Sequence, residues 1–97
     1  MTCPRSGPGY RGLHVAAARI RAELVAWEPA IPRAHRVRVR AHTCVCRSPI
    51  FELCMAGGLW FVRRITGESP AVIEESAWVS ARACEGLWWR ILRGQAR

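Results

Sequence analysis

The stretch Ser80–Gly94, SARACEGLWWRILRG, decides the fold. Its apolar residues recur at i, i+3, i+4, i+7 and i+8, which is one stripe of an α-helix. They are Cys84, Leu87, Trp88, Ile91 and Leu92. Ser80 suits the cap of the first turn, and Gly94 suits the left-handed conformation that ends many helices. The sequence therefore predicts a C-terminal helix over 80–93 whose apolar stripe must be covered.

The predicted cover is a β-hairpin over residues 50–65. Two apolar runs flank Gly57-Gly58, a favoured two-residue turn because both of its positions take positive φ. This turn fixes a register in which Glu52 faces Arg63, a complementary cross-strand pair. One face then carries Phe51, Leu53, Met55, Trp60 and Val62, and the other carries Ile50, Cys54, Leu59, Phe61 and Ile65. A third strand is predicted over 71–76.

The first half of the chain suggests two further elements. Residues 13–27 have the helix period, which predicts an N-terminal helix that ends before Pro29. Its predicted stripe is Ala-rich and consists of Leu13, Ala16, Ala17, Ile20, Leu24 and Trp27. Residues 36–46, RVRVRAHTCVC, alternate in the manner of a strand. The side chains predicted to share its apolar face are Val37, Val39, Ala41, Thr43 and Val45. Residues 1–12 contain two Pro and three Gly, and they are predicted to be disordered.

These elements predict a single small domain of the α+β class. Its antiparallel sheet comprises the hairpin 50–65 and the strand 71–76, with 36–46 as a further candidate strand; the helix 80–93 packs on it, and the helix 13–27 precedes it. The chain is then divided into a disordered segment 1–12, a basic arm 13–47 and a ββα core domain 48–97.

The positive charge lies mainly in the first half of the chain. Residues 1–47 hold nine Arg and two Glu, whereas residues 48–97 hold six Arg and five Glu. A basic segment such as 33–47 can follow a phosphate backbone, so nucleic-acid binding is one candidate function. Its residues are Arg33, Arg36, Arg38, Arg40 and Arg47. The chain has fifteen Arg and no Lys or Asn, so the codon bias of a GC-rich genome is the other explanation.

The cysteines predict a reducing, cytoplasmic setting. The chain has five of them, an odd number, and shows no signal peptide. The longest apolar run, 53–62, is far shorter than the roughly 20 residues of a membrane span, so no membrane association is expected. His42, Cys44, Cys46 and Cys54 are candidate zinc ligands, but successive ligands on a strand face lie about 7 Å apart. Ordinary thiols, with no metal or other cofactor, are therefore predicted.

No catalytic residue is predicted. The chain contains no Asp, and its three histidines lie in the first half, away from the predicted core. Glu74 and Glu75 are neighbours on a strand and face opposite sides, which is unsuitable for an acid–base pair. The sequence therefore favours a protein that is not an enzyme.

Four segments of the second half carry a resemblance: Phe51–Cys54, Gly57-Gly58, Phe61–Arg64 and the ending Leu87–Arg97. They resemble short uncharacterised proteins of GC-rich bacteria. The resemblance implies a compact two- or three-stranded sheet with a terminal helix, and it implies no activity. Residues 1–47 fall outside it, either as an accessory arm or as the product of a start site placed upstream of the true domain.

The tryptophans suggest a binding surface. Trp60, Trp78 and Trp88 have places in the hairpin, at the strand exit and in the helix stripe, whereas Trp89 has none. Tryptophan is enriched at the centres of protein interfaces. The predicted function is therefore a small binding module that meets a protein partner or a second copy through Trp89, Trp88 and Trp60. A wider core that includes the helix 13–27 is the alternative place for Trp89.

Overall fold

The computed structural model describes residues 13–31 and 36–97. They form a five-stranded antiparallel sheet and one helix, an α+β arrangement whose sheet is larger than predicted. The elements are β1 (Glu28–Pro29), β2 (Arg38–His42), β3 (Ile50–Ala56), β4 (Leu59–Thr66), β5 (Val72–Glu75) and α1 (Ala81–Leu92). The spatial order is β1-β5-β4-β3-β2. No helix in these two ranges has both the length and the hydropathy that a bilayer crossing requires.

Strands β3 and β4 form the predicted hairpin in the predicted register. Gly57 and Gly58 have φ values of 56° and 80°, as the tight turn requires. Glu52 lies opposite Arg63, and their side chains form an ion pair of 3.1 Å. The turn and this ion pair specify the same register, and the register determines which side chains face the helix.

Helix α1 covers the face of the sheet that carries Phe51 and Val62. Its N-cap is Ser80, whose hydroxyl accepts a hydrogen bond from the Ala83 N–H at 3.3 Å, and Gly94 follows its end with φ 74°. The buried residues of the stripe are Cys84, Trp88 and Ile91. These residues pack with Phe51 and Val62 into the main core of the protein. Burying each large apolar side chain contributes roughly 1.5–3 kcal/mol to stability.

The other face of the hairpin carries a smaller core. The ring of Phe61 stacks on Trp78, with centroids 4.6 Å apart and planes 2° from parallel. The Trp78 indole N–H donates to Glu75 Oε1 at 3.2 Å. Cys54 and Ala56 are buried beside Phe61. The sheet is therefore covered on both sides near the Gly-Gly turn, as its two apolar faces predict.

The prediction of a helix over residues 13–27 is wrong, because this N-terminal segment contains no helix and has a turn at residues 20 and 21. Its backbone pairs with residues 92–97: Arg19 N–H donates to the Gly94 carbonyl at 2.9 Å, and Glu23 N–H donates to the Gln95 carbonyl at 2.8 Å. The Ala-rich stripe offered little area to bury, so pairing with a distant segment prevailed over helix propensity. Ile20, a member of the predicted stripe, is 100% exposed.

The segment instead contributes side chains to the core from both of its ends. Val15, Val25 and Trp27 pack against the main cluster. The ring of Trp27 lies 6.1 Å from that of Phe51. The N-terminal segment is thus part of the packed fold.

Strand β2 is shorter than the predicted strand over 36–46, and its alternation is broken. The register shifts between Val39 and Ala41, which marks a β-bulge or a similar irregularity. Val37 consequently packs on the Cys54 side of the sheet, whereas Ala41 packs on the helix side. The prediction of one apolar face from Val37 to Val45 is therefore wrong, because such a shift reverses the side chains that follow it. The disorder predicted for 1–12 concerns residues outside the described ranges.

Candidate functional site

A cavity of about 840 Å³ is bounded by the N-terminal segment, the sheet and Arg97. Small-molecule sites commonly measure about 300–1,000 Å³. Much of the wall is apolar, with Val15, Leu24, Val25, Trp27, Phe51 and Val72 among its residues. Residues of the non-helical segment 13–27 form one wall of the cavity. The prediction of a helix there therefore gives no indication of this site.

The charged residues of the cavity wall are Arg47, Arg64, Glu74 and Arg97. Strands β4 and β5 place Arg64 directly opposite Glu74, and Arg64 Nη2 lies 2.7 Å from Glu74 Oε1. The sequence held a signal for this pair, since Arg63-Arg64 and Glu74-Glu75 match in antiparallel order. The wall carries three guanidinium groups and one carboxylate, so it favours an anion.

Arg64 is held on a second side by Trp27. Its guanidinium carbon lies 4.6 Å from the centroid of the indole ring, which is within the range of a cation–π contact. The ion pair and the ring together restrict the rotamers of this long side chain. Arg64 is thus pre-positioned on the cavity wall.

Two buried N–H groups of the wall lack an acceptor. Trp27 Nε1 and Arg64 Nε have no hydrogen-bond partner among the residues that the structure describes. The same is true of Arg63 Nε and Arg90 Nε, but those two residues do not line the cavity. More than about 90% of buried polar groups in folded proteins are hydrogen-bonded. Two donors from adjacent residues of one cavity therefore indicate a place where an acceptor group would be stabilised.

The three tryptophans proposed as an interface are separated by the fold. Trp88 is 5% exposed and lies in the main core, and Trp60 packs against the same cluster. Trp89 is 48% exposed on α1, with the guanidinium carbon of Arg93 5.8 Å from its ring centroid. Of the three, Trp89 is the one that offers its ring to the surface.

The arginines proposed for nucleic-acid binding are also separated. Arg36, Arg38 and Arg40 are exposed on and beside β2, which is an edge strand of the sheet. Arg47 lies on the cavity wall instead. Arg33 falls outside the described residues.

The cysteines fall into two groups. Cys54 and Cys84 are fully buried, and burial raises the pKa of the Cys54 thiol from 9.0 to about 12 and that of Cys84 to about 11. Cys44 and Cys46 lie instead near His14, with the three ligand atoms within 4.8 Å of one another. No local pattern indicates His14, which is distant in the chain; the sequence points to the adjacent His42 instead.

Comparison with known proteins gives no relative from which a function could be transferred. No protein-family model, no curated protein and no solved structure matches this chain.

Proposed function

We propose that the protein is a non-enzymatic binding module whose cavity takes a small apolar molecule carrying a carboxylate. The observation that carries the proposal is the pair of buried donors, Trp27 Nε1 and Arg64 Nε, in a largely apolar cavity of about 840 Å³. The apolar wall would take the body of the ligand, and the two donors would take its acidic group.

The charge of the wall supports an acid over a neutral polar ligand. Hydrogen bonds between guanidinium and carboxylate are roughly twice as strong as those between neutral groups. Arg47 and Arg97 add positive charge to the same wall. Because Glu74 accepts from Nη2 of Arg64 at 2.7 Å, the Nε–H is one of the donors left for a ligand.

The same pair argues against catalysis at this site. Glu74 is the acidic residue of the described wall, and its carboxylate accepts from Arg64. A general base must reach the proton that it removes, whereas this carboxylate is held by a guanidinium. The role of the wall is therefore recognition.

The experiment measures calorimetric binding of dodecanoate and of dodecanol, both below their aggregation limits. We expect dodecanoate to bind more tightly. Arg64→Gln should weaken dodecanoate binding by roughly 10- to 100-fold, because a hydrogen bond to a charged group contributes about 1.5–3 kcal/mol. Trp27→Phe should weaken it less, since it keeps the ring and removes one donor.

The matched control is Arg63→Gln. Arg63 is the preceding residue of β4, is equally half-buried and pairs with Glu52 on the other face of the sheet. It should leave dodecanoate affinity unchanged. Equal affinities for the acid and the alcohol, equal losses in the two arginine variants, or no binding at all would reject the proposal.

A second candidate is self-association through Trp89, and its support is the 48% exposure of this ring. An apolar contact of this kind should withstand salt. The nucleic-acid alternative is supported by the exposed Arg36, Arg38 and Arg40 on an edge strand. Retention on nucleic acid that falls steeply with salt would favour those arginines over Trp89.

A further inference from the structure

We propose that His14, Cys44 and Cys46 form a binding site for a thiophilic divalent cation, with Zn²⁺ as the natural occupant. The imidazole nitrogen and two sulfur atoms that would serve as ligands all lie within 4.8 Å of one another. Cys44 is buried, and the other two residues are half-buried. The site is separate from the donors of the larger cavity, and no part of the proposed function depends on it.

One of the three spacings, that between Cys46 and His14, equals the spacing around tetrahedral zinc, and all three are no longer than 4.8 Å. With Zn–S of about 2.3 Å and Zn–N of about 2.0–2.1 Å, a tetrahedral angle places sulfur and nitrogen roughly 3.5 Å apart. Cys46 Sγ lies 3.6 Å from His14 Nε2. The two side chains form a hydrogen bond, and its length is also the separation that a shared ion would impose.

The fold brings His14 to the cysteines through its backbone. Leu13 forms a parallel bridge with Thr43, and the Cys44 N–H donates to the Leu13 carbonyl at 2.8 Å. Thr43 is itself fixed to β3, because its hydroxyl accepts from the Phe51 N–H at 2.9 Å. The bridge holds His14 beside the loop that carries both cysteines.

The same loop explains why the wide ligand spacing expected on a strand does not exclude a metal site here. Strand β2 ends at His42, and Val45 and Cys46 lie in a turn. The spacing of about 7 Å between alternate residues applies to an extended strand, so it does not apply to Cys44 and Cys46. His42, the histidine that the sequence favoured, does not belong to the cluster.

A small cavity beside two of the three ligand residues has room for a water molecule. It measures about 20 Å³, and His14 and Cys44 are among the residues that line it. A cavity needs roughly 10–15 Å³ to hold one water molecule. Three ligands from the chain and one water would complete a tetrahedral ion.

The donor set selects the class of metal. Thiolate and imidazole ligands favour zinc and related soft or borderline ions, whereas Mg²⁺ and Ca²⁺ require oxygen ligands. The ion would join residue 14 to residues 44 and 46 and close a loop of about 30 residues, which stabilises the folded chain. It would also fix the loop that carries Arg47 into the wall of the larger cavity.

The experiment is a titration of the reduced full-length chain with Co²⁺, followed by Zn²⁺. We expect one Co²⁺ per chain, a thiolate-to-cobalt charge-transfer band, the strong visible bands of four-coordinate cobalt, and their loss on adding Zn²⁺. Cys44→Ser, Cys46→Ser and His14→Ala should each weaken Co²⁺ binding by more than about 100-fold, since the loss of an outer-shell partner alone costs roughly 10- to 100-fold.

His42→Ala and Cys84→Ala are the matched controls, and both should keep the wild-type affinity. A reduced wild-type chain that binds no Co²⁺ in a 1:1 ratio would overturn the proposal, as would equal losses for His14→Ala and His42→Ala. If a ligand variant fails to fold, thermal unfolding of the wild-type chain with and without Zn²⁺ tests the site instead. Zn²⁺ should raise its Tm and a chelator should reverse the rise, and an unchanged Tm overturns the site.

Discussion

Gly94→Ala tests the crossing of the N-terminal segment over the end of α1. Gly94 has φ 74°, and a left-handed conformation costs a residue with a Cβ roughly 1–2 kcal/mol. The new Cβ would also overlap the carbonyl oxygen of Ala17 and lie 3.3 Å from that of Ala16. Moving the backbone out of such an overlap costs about 1–3 kcal/mol more. We therefore expect Gly94→Ala to lower the unfolding free energy by about 2–5 kcal/mol.

Gly58→Ala is the control that separates the two costs. Gly58 has φ 80°, and a Cβ there would meet no atom within 4 Å. It should lose only the conformational term of roughly 1–2 kcal/mol. Urea unfolding of both variants gives the difference. Hydrogen exchange adds a local readout, because the Arg19 N–H donates to the Gly94 carbonyl at 2.9 Å and should lose protection in Gly94→Ala alone. Equal destabilisation with unchanged exchange at Arg19 would show that the segment does not cross at this point.

Two further predictions concern the tryptophans of α1 and the buried thiols. Trp88→Ala should lower the unfolding free energy by about 3–5 kcal/mol, because its ring lies in the core. Trp89→Ala should change the unfolding free energy by less than about 1 kcal/mol and abolish any salt-resistant dimer seen by sedimentation velocity. A dimer that persists in Trp89→Ala would exclude that ring as the contact. The unfolding free energy should also fall as the pH rises above 9.0, because burial holds the pKa of Cys54 at about 12 and that of Cys84 at about 11 in the folded chain. The unfolded thiols ionise first, so each removes about 1.4 kcal/mol per pH unit between its unfolded and folded pKa values. Denaturation of the wild type beside Cys54→Ala measures the difference in slope, and parallel profiles between pH 9 and 11 would contradict the assignment.

The hairpin and the C-terminal helix could be predicted because their hydrogen bonds close locally. Gly57-Gly58 sets a turn whose register Glu52 and Arg63 reinforce, and the stripe of α1 follows from its own spacing. Each pattern states which side chains share a face before any distant partner is known.

The N-terminal segment could not be predicted in this way, since its partners lie at the other end of the chain. Glu23 pairs with Gln95 and Ala96, and no local pattern in residues 13–27 indicates this backbone pairing. The helix period of Leu13 to Trp27 was a local preference without enough apolar area to sustain it. Both candidate sites depend on this segment, through Trp27 and His14, so both were beyond the reach of local patterns.

The pairing of residues 13–27 with residues 92–97 also dictates an order of events during synthesis. Residues 13–27 leave the ribosome before the hairpin and α1 do. The hairpin and the helix can fold as they emerge, but the Val25 N–H and the Glu23 carbonyl must wait for Arg97, which they bind at 2.9 Å each. The segment 13–27 is consequently placed last, and Val15, Val25 and Trp27 stay exposed to chaperones and proteases until residues 92–97 have been translated.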